Sequence, residues 1–141
     1  MEIRGTVALV TGGSGYFGRA VAKHLLDRGA KVGIVDIEAK TGNDVCRQLS
    51  QKYGEDKTAF FECDVTNVEQ FEQAFVEAIN KFGKLDIVVN SAGVPELPDW
   101  KKVFAIDAMA VYQGTLLAMK FMDKSCGWKG GHVVNVGLYH R

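Results

Sequence analysis

No sign of charge predominates in this sequence. It has 17 basic and 17 acidic residues, a formal net charge of zero, and no basic run. Nucleic acid and anionic membrane surfaces select concentrated positive charge, so neither is expected as a partner. Cysteine is scarce, with 3 residues, Cys46, Cys63 and Cys126. An odd number without Cys-x-x-Cys spacing builds neither a disulfide framework nor a zinc site. The cysteines read as reduced thiols of an intracellular protein, and no metal site is expected. No apolar run approaches the ~20 residues of a membrane span. The first strand already occupies the N-terminus, where a signal peptide would stand, so the expected location is the cytoplasm. The 2 prolines, Pro95 and Pro98, mark a single loop, and no repeat or low-complexity segment interrupts the chain. What is left is ordinary: 47% hydrophobic and 24% charged residues in a chain of 141, enough for one domain with a real core. Residues 1–141 are therefore expected to form a single domain.

The chain is organised around Val7-Ala8-Leu9-Val10-Thr11-Gly12-Gly13-Ser14-Gly15-Tyr16-Phe17-Gly18. Four apolar residues predict a buried strand, followed by a glycine-rich turn and a helix. Glycines let the main chain approach a ligand closely, and a helix beginning near Phe17 aims its unpaired N–H groups and positive dipole end at whatever lies over the turn. A pyrophosphate fits that place. A second apolar run ends in Asp36. An acidic residue there, roughly 20 residues past the glycines, is placed to accept from the adenosine ribose of NAD and to repel the added phosphate of NADP. Asp36 also suits a helix N-cap, and both roles can hold at once.

Helical periodicity predicts a first helix over 17–28, with Phe17, Ala20, Val21, His24 and Leu25 as its apolar stripe and Gly29 as its terminator. A second strand over 31–35 and a second helix over 38–52 follow, the helix turning Val45 and Leu49 inward. Tyr53 and Lys57 have the spacing of a catalytic pair, but Gly54 breaks the helix that would align them. A third strand covers 58–62. Thr66 and Glu69 predict a capping box for a helix whose period runs Val68, Phe71, Phe75, Ala78, Ile79, Phe82, with Gly83 as its stop. The fourth strand covers 85–89. Asp99 is expected to cap a long helix over 100–124 that is apolar on more than one side, one face for the sheet and one for a partner subunit. His132 to Val136 predict a fifth strand. Five strands alternating with four helices describe an α/β, doubly wound parallel sheet of Rossmann type, with expected strand order 3-2-1-4-5. Ligands then belong at the carboxyl ends of strands one and four, where the glycine turn, Asp36, Asp64 and Asn90 converge.

Thr11-Gly12, Asp64-Val65 and Asn90-Ser91-Ala92-Gly93 resemble the landmarks of the short-chain dehydrogenase/reductase family. The resemblance covers the chain to about Val136. Segments 61–65, 82–94 and 100–122 carry a closer likeness to a branch that oxidises a secondary alcohol on a hydroxylated fatty acid or prostanoid. It implies that Gly12, Ser14, Gly15, Tyr16, Phe17 and Gly18 hold the pyrophosphate of NAD. Asp36 and Ile37 would contact the adenosine ribose, and Cys63, Asp64 and Val65 would border the adenine, with the Asp64 carboxylate accepting from its amino group. Asn90, Ala92 and Gly93 would support the nicotinamide side. For Asp64 and Asn90 an end-of-strand turn role is the alternative.

The sequence departs from the family pattern in three places. Family members usually carry Thr-Gly-x-x-x-Gly-x-Gly; here the middle glycine is Gly15 and Tyr16 takes its usual place. Either the turn adopts the Thr-Gly-x-x-Gly-x-x-Gly geometry of the extended branch, or Tyr16 crowds the pyrophosphate. Asp107 stands where the family has a catalytic-site Asn. Leu138 stands where its Ser is expected, and Tyr139 has no Lys four residues on. No catalytic residue is therefore assigned. The expectation is an N-terminal NAD-binding half, ending after strand five, without the catalytic and substrate half and inactive alone. A half domain that binds NAD or pairs with an intact subunit through its fourth helix is the alternative, and an unstable product is a third.

Overall fold

Val7 to Val10 are apolar without interruption because the strand they form is covered on both faces. The computed structural model describes residues 1–93 and 98–137. Its first strand, β1 (Val7–Thr11), is wholly buried at the centre of a five-stranded parallel sheet of order β3-β2-β1-β4-β5. This is the expected order. The other strands are β2 (Lys31–Asp36), β3 (Thr58–Glu62), β4 (Ile87–Asn90) and β5 (His132–Asn135). In register, Leu9 lies beside Gly33 on one side and Val88 on the other. Alternation along β1 sends Val7 and Leu9 to one core and Ala8 and Val10 to the other. The first core packs Phe71, Phe75 and Leu117 against the sheet; the second packs Leu25, Leu26, Val45 and Leu49. Burying each such side chain contributes ~1.5–3 kcal/mol.

The second core is roofed by α1 (Tyr16–Asp27) and α2 (Ala39–Tyr53), the first by α3 (Val68–Phe82) and α5 (Ala110–Met122). Helix α1 is turned differently from the expected stripe. Gly18, Ala22, Leu25 and Leu26 face inward, whereas Phe17, Ala20 and His24 are exposed. The close contact of Gly18 with the glycine turn sets that rotation. Its C-terminus does follow expectation: Gly29 takes φ +89, and the Gly29 and Ala30 amides donate to Leu26 and Leu25 carbonyls, a Schellman end.

Two other local expectations are corrected. Asn67, not Thr66, caps α3, its side chain accepting from the Gln70 amide at 3.1 Å. Thr66 is occupied instead with Asp64. The long helix expected over 100–124 is three segments: α4 (Trp100–Phe104), a π-helical turn (Ala105–Met109) and α5. It stops at Met122 because Asp123 leaves the helical region, at ψ 138. Asp99 caps α4, accepting from the Lys101 and Lys102 amides. Pro95, and the departures at Leu138 and Tyr139, lie outside the described residues. Among the described residues, no helix is long and apolar enough to cross a membrane.

Candidate functional site

The strand order reverses between the parallel neighbours β1 and β4, which opens a crevice at their carboxyl ends. Gly12 begins it at φ +65, where a Cβ would stand 2.8 Å from the Ala92 Cα. Gly18 lies beneath, where a Cβ would come within 2.2 Å of the Gly12 carbonyl oxygen. These two glycines bring α1 end-on to the turn. The helix has no side-chain cap at Gly15 and no acidic residue in its first turn. Its first N–H groups and dipole therefore act on the crevice without an internal anion. Gly15 itself is extended, at φ −74, and Tyr16 is 92% exposed at the crevice lip.

Asp36 closes β2 opposite the turn. One carboxylate oxygen, Oδ2, accepts from the Ser14 amide at 3.2 Å and the Ser14 hydroxyl at 2.5 Å; the other, Oδ1, accepts from the Glu38 amide at 3.2 Å. Glu38 is the N-cap of α2 but makes no side-chain cap bond. Ile37 projects at the rim, and Thr41 joins it from α2.

The third wall follows β3. Cys63 is buried, and burial together with the Asp64 carboxylate pushes its thiol up to about 12. It is a neutral, apolar wall rather than a nucleophile. Asp64 Oδ1 accepts from the Thr66 amide at 2.9 Å and the Thr66 hydroxyl at 2.7 Å, an Asx turn. Beyond β4, Thr11 Oγ1 accepts from the Ser91 and Ala92 amides, both at 3.1 Å, and the Ser91 hydroxyl donates to the Thr11 carbonyl. This stapling fixes the β1 and β4 ends against each other. Asn90 is 2% exposed and donates to Asn135 Oδ1 at 2.8 Å. Its Oδ1 fills the space over Gly114, 2.2 Å from where a Cβ would stand.

These walls enclose a cleft of about 520 Å³. Gly12, Ser14, Gly15, Tyr16, Phe17, Asp36, Ile37, Cys63, Asp64, Val65, Ala92 and Gly93 all line it. Gly18 and Asn90 support it from below. Thr41, Ile106 and Val136 also line it and were not anticipated, and neither was the support Gly114; Ser91, which lines it too, and the support Thr11 stand in the Asn90-Ser91-Ala92-Gly93 and Thr11-Gly12 landmarks, where no role was assigned to them. Gly114 did carry a sequence signal, an isolated glycine inside an apolar helix, which marks close packing. Tyr53 stands elsewhere. It donates to Asp27 at the end of α1, which holds the phenol up at about 12.

Across Val65 lies a second cavity of about 430 Å³, bounded by Val68, Phe104, Ala105, Ala108, Met109 and Tyr112. The π-helical turn separates the two spaces: Ile106 faces the first, while Ala105, Ala108 and Met109 face the second.

Known proteins resemble this chain in sequence and fold. The sequence model described as short chain dehydrogenase matches residues 6–138. The 15-hydroxyprostaglandin dehydrogenase [NAD(+)] of Macaca fascicularis is 40% identical over 136 residues, 96% of this chain and 51% of the relative. The human protein of that name is 39% identical over the same share. A short-chain dehydrogenase/reductase from Burkholderia phymatum, solved in complex with NAD, superposes with TM-score 0.86 at 27% identity over 96% of this chain and 50% of its own. The chain spans about half the length of the curated relatives it matches.

Proposed function

The chain belongs to the short-chain dehydrogenase family, and from that premise we propose that its residues form one NAD-binding domain of an enzyme that oxidises a secondary alcohol. The observation that carries this reading is the convergence, in one cleft, of an uncapped helix N-terminus and the Asp36 carboxylate. The cleft fits such a group: Gly12 and Gly18 leave it the room that side chains would fill. The α1 amides hold the pyrophosphate, and Asp36 accepts from a ribose hydroxyl and repels a 2′-phosphate. Cys63 and Val65 border the adenine, and Asp64 accepts from its amino group. Ala92 and Gly93 flank the nicotinamide side, over a floor held by Asn90 and Thr11. NAD, when bound, supplies the hydride acceptor.

A hydroxylated fatty acid or prostanoid is the substrate class we propose, on the likeness to 15-hydroxyprostaglandin dehydrogenases. A cytoplasmic location is part of the same reading. The 141 residues alone bind nucleotide without sustained turnover. Leu138 replaces the serine that would hold the substrate oxygen, and Tyr53 is engaged by Asp27 rather than aligned with Lys57.

Calorimetric titration tests the binding: NAD binds more tightly than NADP, and Asp36→Arg weakens NAD by roughly ten- to hundredfold, the scale of a hydrogen bond to a charged group. Sustained NADH production by this chain from a secondary-alcohol panel, abolished by Asp36→Arg, would refute the inactivity. A second reading, an inert half that pairs with another subunit, is favoured by the exposed Phe104, Met109, Tyr112, Leu116 and Met119 along α4, the π-helical turn and α5. Co-purification of intact subunits with the tagged chain tests it.

A further inference from the structure

The Asp36 carboxylate is held by its neighbours before any ligand arrives. Ser14, itself buried, gives both of its donors to one oxygen, Oδ2, at 3.2 and 2.5 Å. The place of Ser14 is not adjustable. Gly13, before it, donates to the Val35 carbonyl at 3.3 Å and lies so close to Ile34 that a Cβ would stand 2.6 Å from its methyl carbon. The turn is thus laid across the end of β2. A carboxylate oxygen accepts about two hydrogen bonds, so Ser14 fills Oδ2 and the Glu38 amide takes one direction of Oδ1. Among the bonds of the described residues, one acceptor direction remains, on Oδ1.

We propose that Ser14 is the positioning residue for nucleotide specificity: by holding Oδ2 it keeps Asp36 from turning away from a 2′-phosphate, so discrimination between NAD and NADP depends on Ser14 as well as on Asp36. This rests on the NAD reading above. A lone carboxylate at a strand end can rotate about its side-chain torsions toward solvent, and a rotated carboxylate neither meets the ribose hydroxyl nor repels a phosphate. With the hydroxyl of Ser14 removed, only the backbone donor restrains Oδ2. NAD then loses a pre-positioned acceptor, while NADP loses part of its repulsion. The ratio of the two affinities falls from both ends.

The test is calorimetric titration of the purified 141-residue chain with NAD and with NADP, folding being verified for each variant by circular dichroism. In Ser14→Ala the ratio of the NADP to the NAD dissociation constant falls about tenfold, the scale of one charge-assisted hydrogen bond. Ser14→Gly repeats the loss in a second background, and Ser14→Thr, which keeps the hydroxyl, retains the ratio. A wild-type chain that prefers NAD, beside a folded Ser14→Ala or Ser14→Gly with an unchanged ratio, overturns this inference and leaves the NAD reading standing. Equal weakening of both nucleotides means that Ser14 only supports the turn, and overturns it likewise. A wild-type chain that binds neither nucleotide overturns the NAD reading and the role of Ser14 with it.

Discussion

Gly15 and Gly18 look alike in the sequence and differ in what they require. A methyl at Gly18 would lie 2.2 Å from the backbone carbonyl of Gly12, and neither partner can yield without moving α1 off the turn. Gly18→Ala is therefore expected to cost ~1–3 kcal/mol and to abolish detectable nucleotide binding, read by urea unfolding and calorimetry. At Gly15 the backbone is extended and a Cβ meets nothing nearer than 3.3 Å, so Gly15→Ala should stay within about 1 kcal/mol of wild type. If Gly15→Ala proves the more damaging, the turn is not held as described. The titrating side chains make a second prediction at this scale. Burial raises Cys63 from 9.0 to about 12, and the bond to Asp27 raises Tyr53 from 10.0 to about 12. Each keeps its proton in the folded chain at a pH where the unfolded chain has lost it. Stability from both is complete below about pH 9 and declines as pH rises toward 12. A thiol reagent at neutral pH should modify exposed Cys126 first and Cys63 only on unfolding.

The elements divide into those whose cause is local and those whose cause is tertiary. The strands were legible because their apolar runs and bounding glycines are local signals, and the order β3-β2-β1-β4-β5 follows from right-handed crossovers. Most cleft residues were legible for a related reason: close approach and ribose recognition demand glycine and a carboxylate, and few residue types substitute. Thr11 stood in the Thr-Gly landmark, but its role as the staple between β1 and β4 was not legible, since a hydroxyl at a strand end has several ordinary uses. The rotation of α1 was misread because Phe17, Ala20 and His24 supply a plausible stripe, while the contact of Gly18 with Gly12 decides the face. The π-helical turn over Ala105–Met109 has no local signal, as Ala-Ile-Asp-Ala-Met would equally continue an α-helix. It inserts where the helix must turn Ile106 toward the cleft and Met109 away from it. Asn67 rather than Thr66 caps α3: its side-chain oxygen accepts from the Gln70 amide, while the Thr66 amide and hydroxyl are turned to the Asp64 carboxylate. Asn67→Ala should cost ~1 kcal/mol of stability, whereas Glu69→Ala should remain within ~0.5. Urea midpoints at constant m would separate them, and a larger loss at Glu69 would restore the Thr66 capping box.

At the scale of the molecule, the two sides of the sheet are not equally finished. β3 and β5 are its edges, but β3 lies beneath α2, with Phe60 packed closely over Gly42. Among the described residues β5 pairs with β4 alone, and Val134 is 49% exposed there. An apolar edge strand with open N–H and C=O groups pairs with other chains and has no fixed stoichiometry. The exposed side chains of α4 and α5 offer a different contact, a patch that closes on itself in a dimer. The two surfaces predict distinguishable behaviour. Association through the edge should grow continuously with concentration and be suppressed by Val134→Lys, because a charge on an edge strand opposes further pairing. Association through the helix should stop at a discrete mass and be suppressed by Met109→Lys. Light scattering across a concentration series, with both variants, reads the difference. The open edge of β5 is the stronger driver, because its unpaired backbone groups recur along the whole strand, whereas the helix patch offers side-chain area only. Val134→Lys is therefore expected to give a well-behaved chain at unchanged melting temperature, and Met109→Lys to leave the wild-type association in place. The opposite pattern would make α4 and α5 the principal surface and move the subunit-pairing reading ahead.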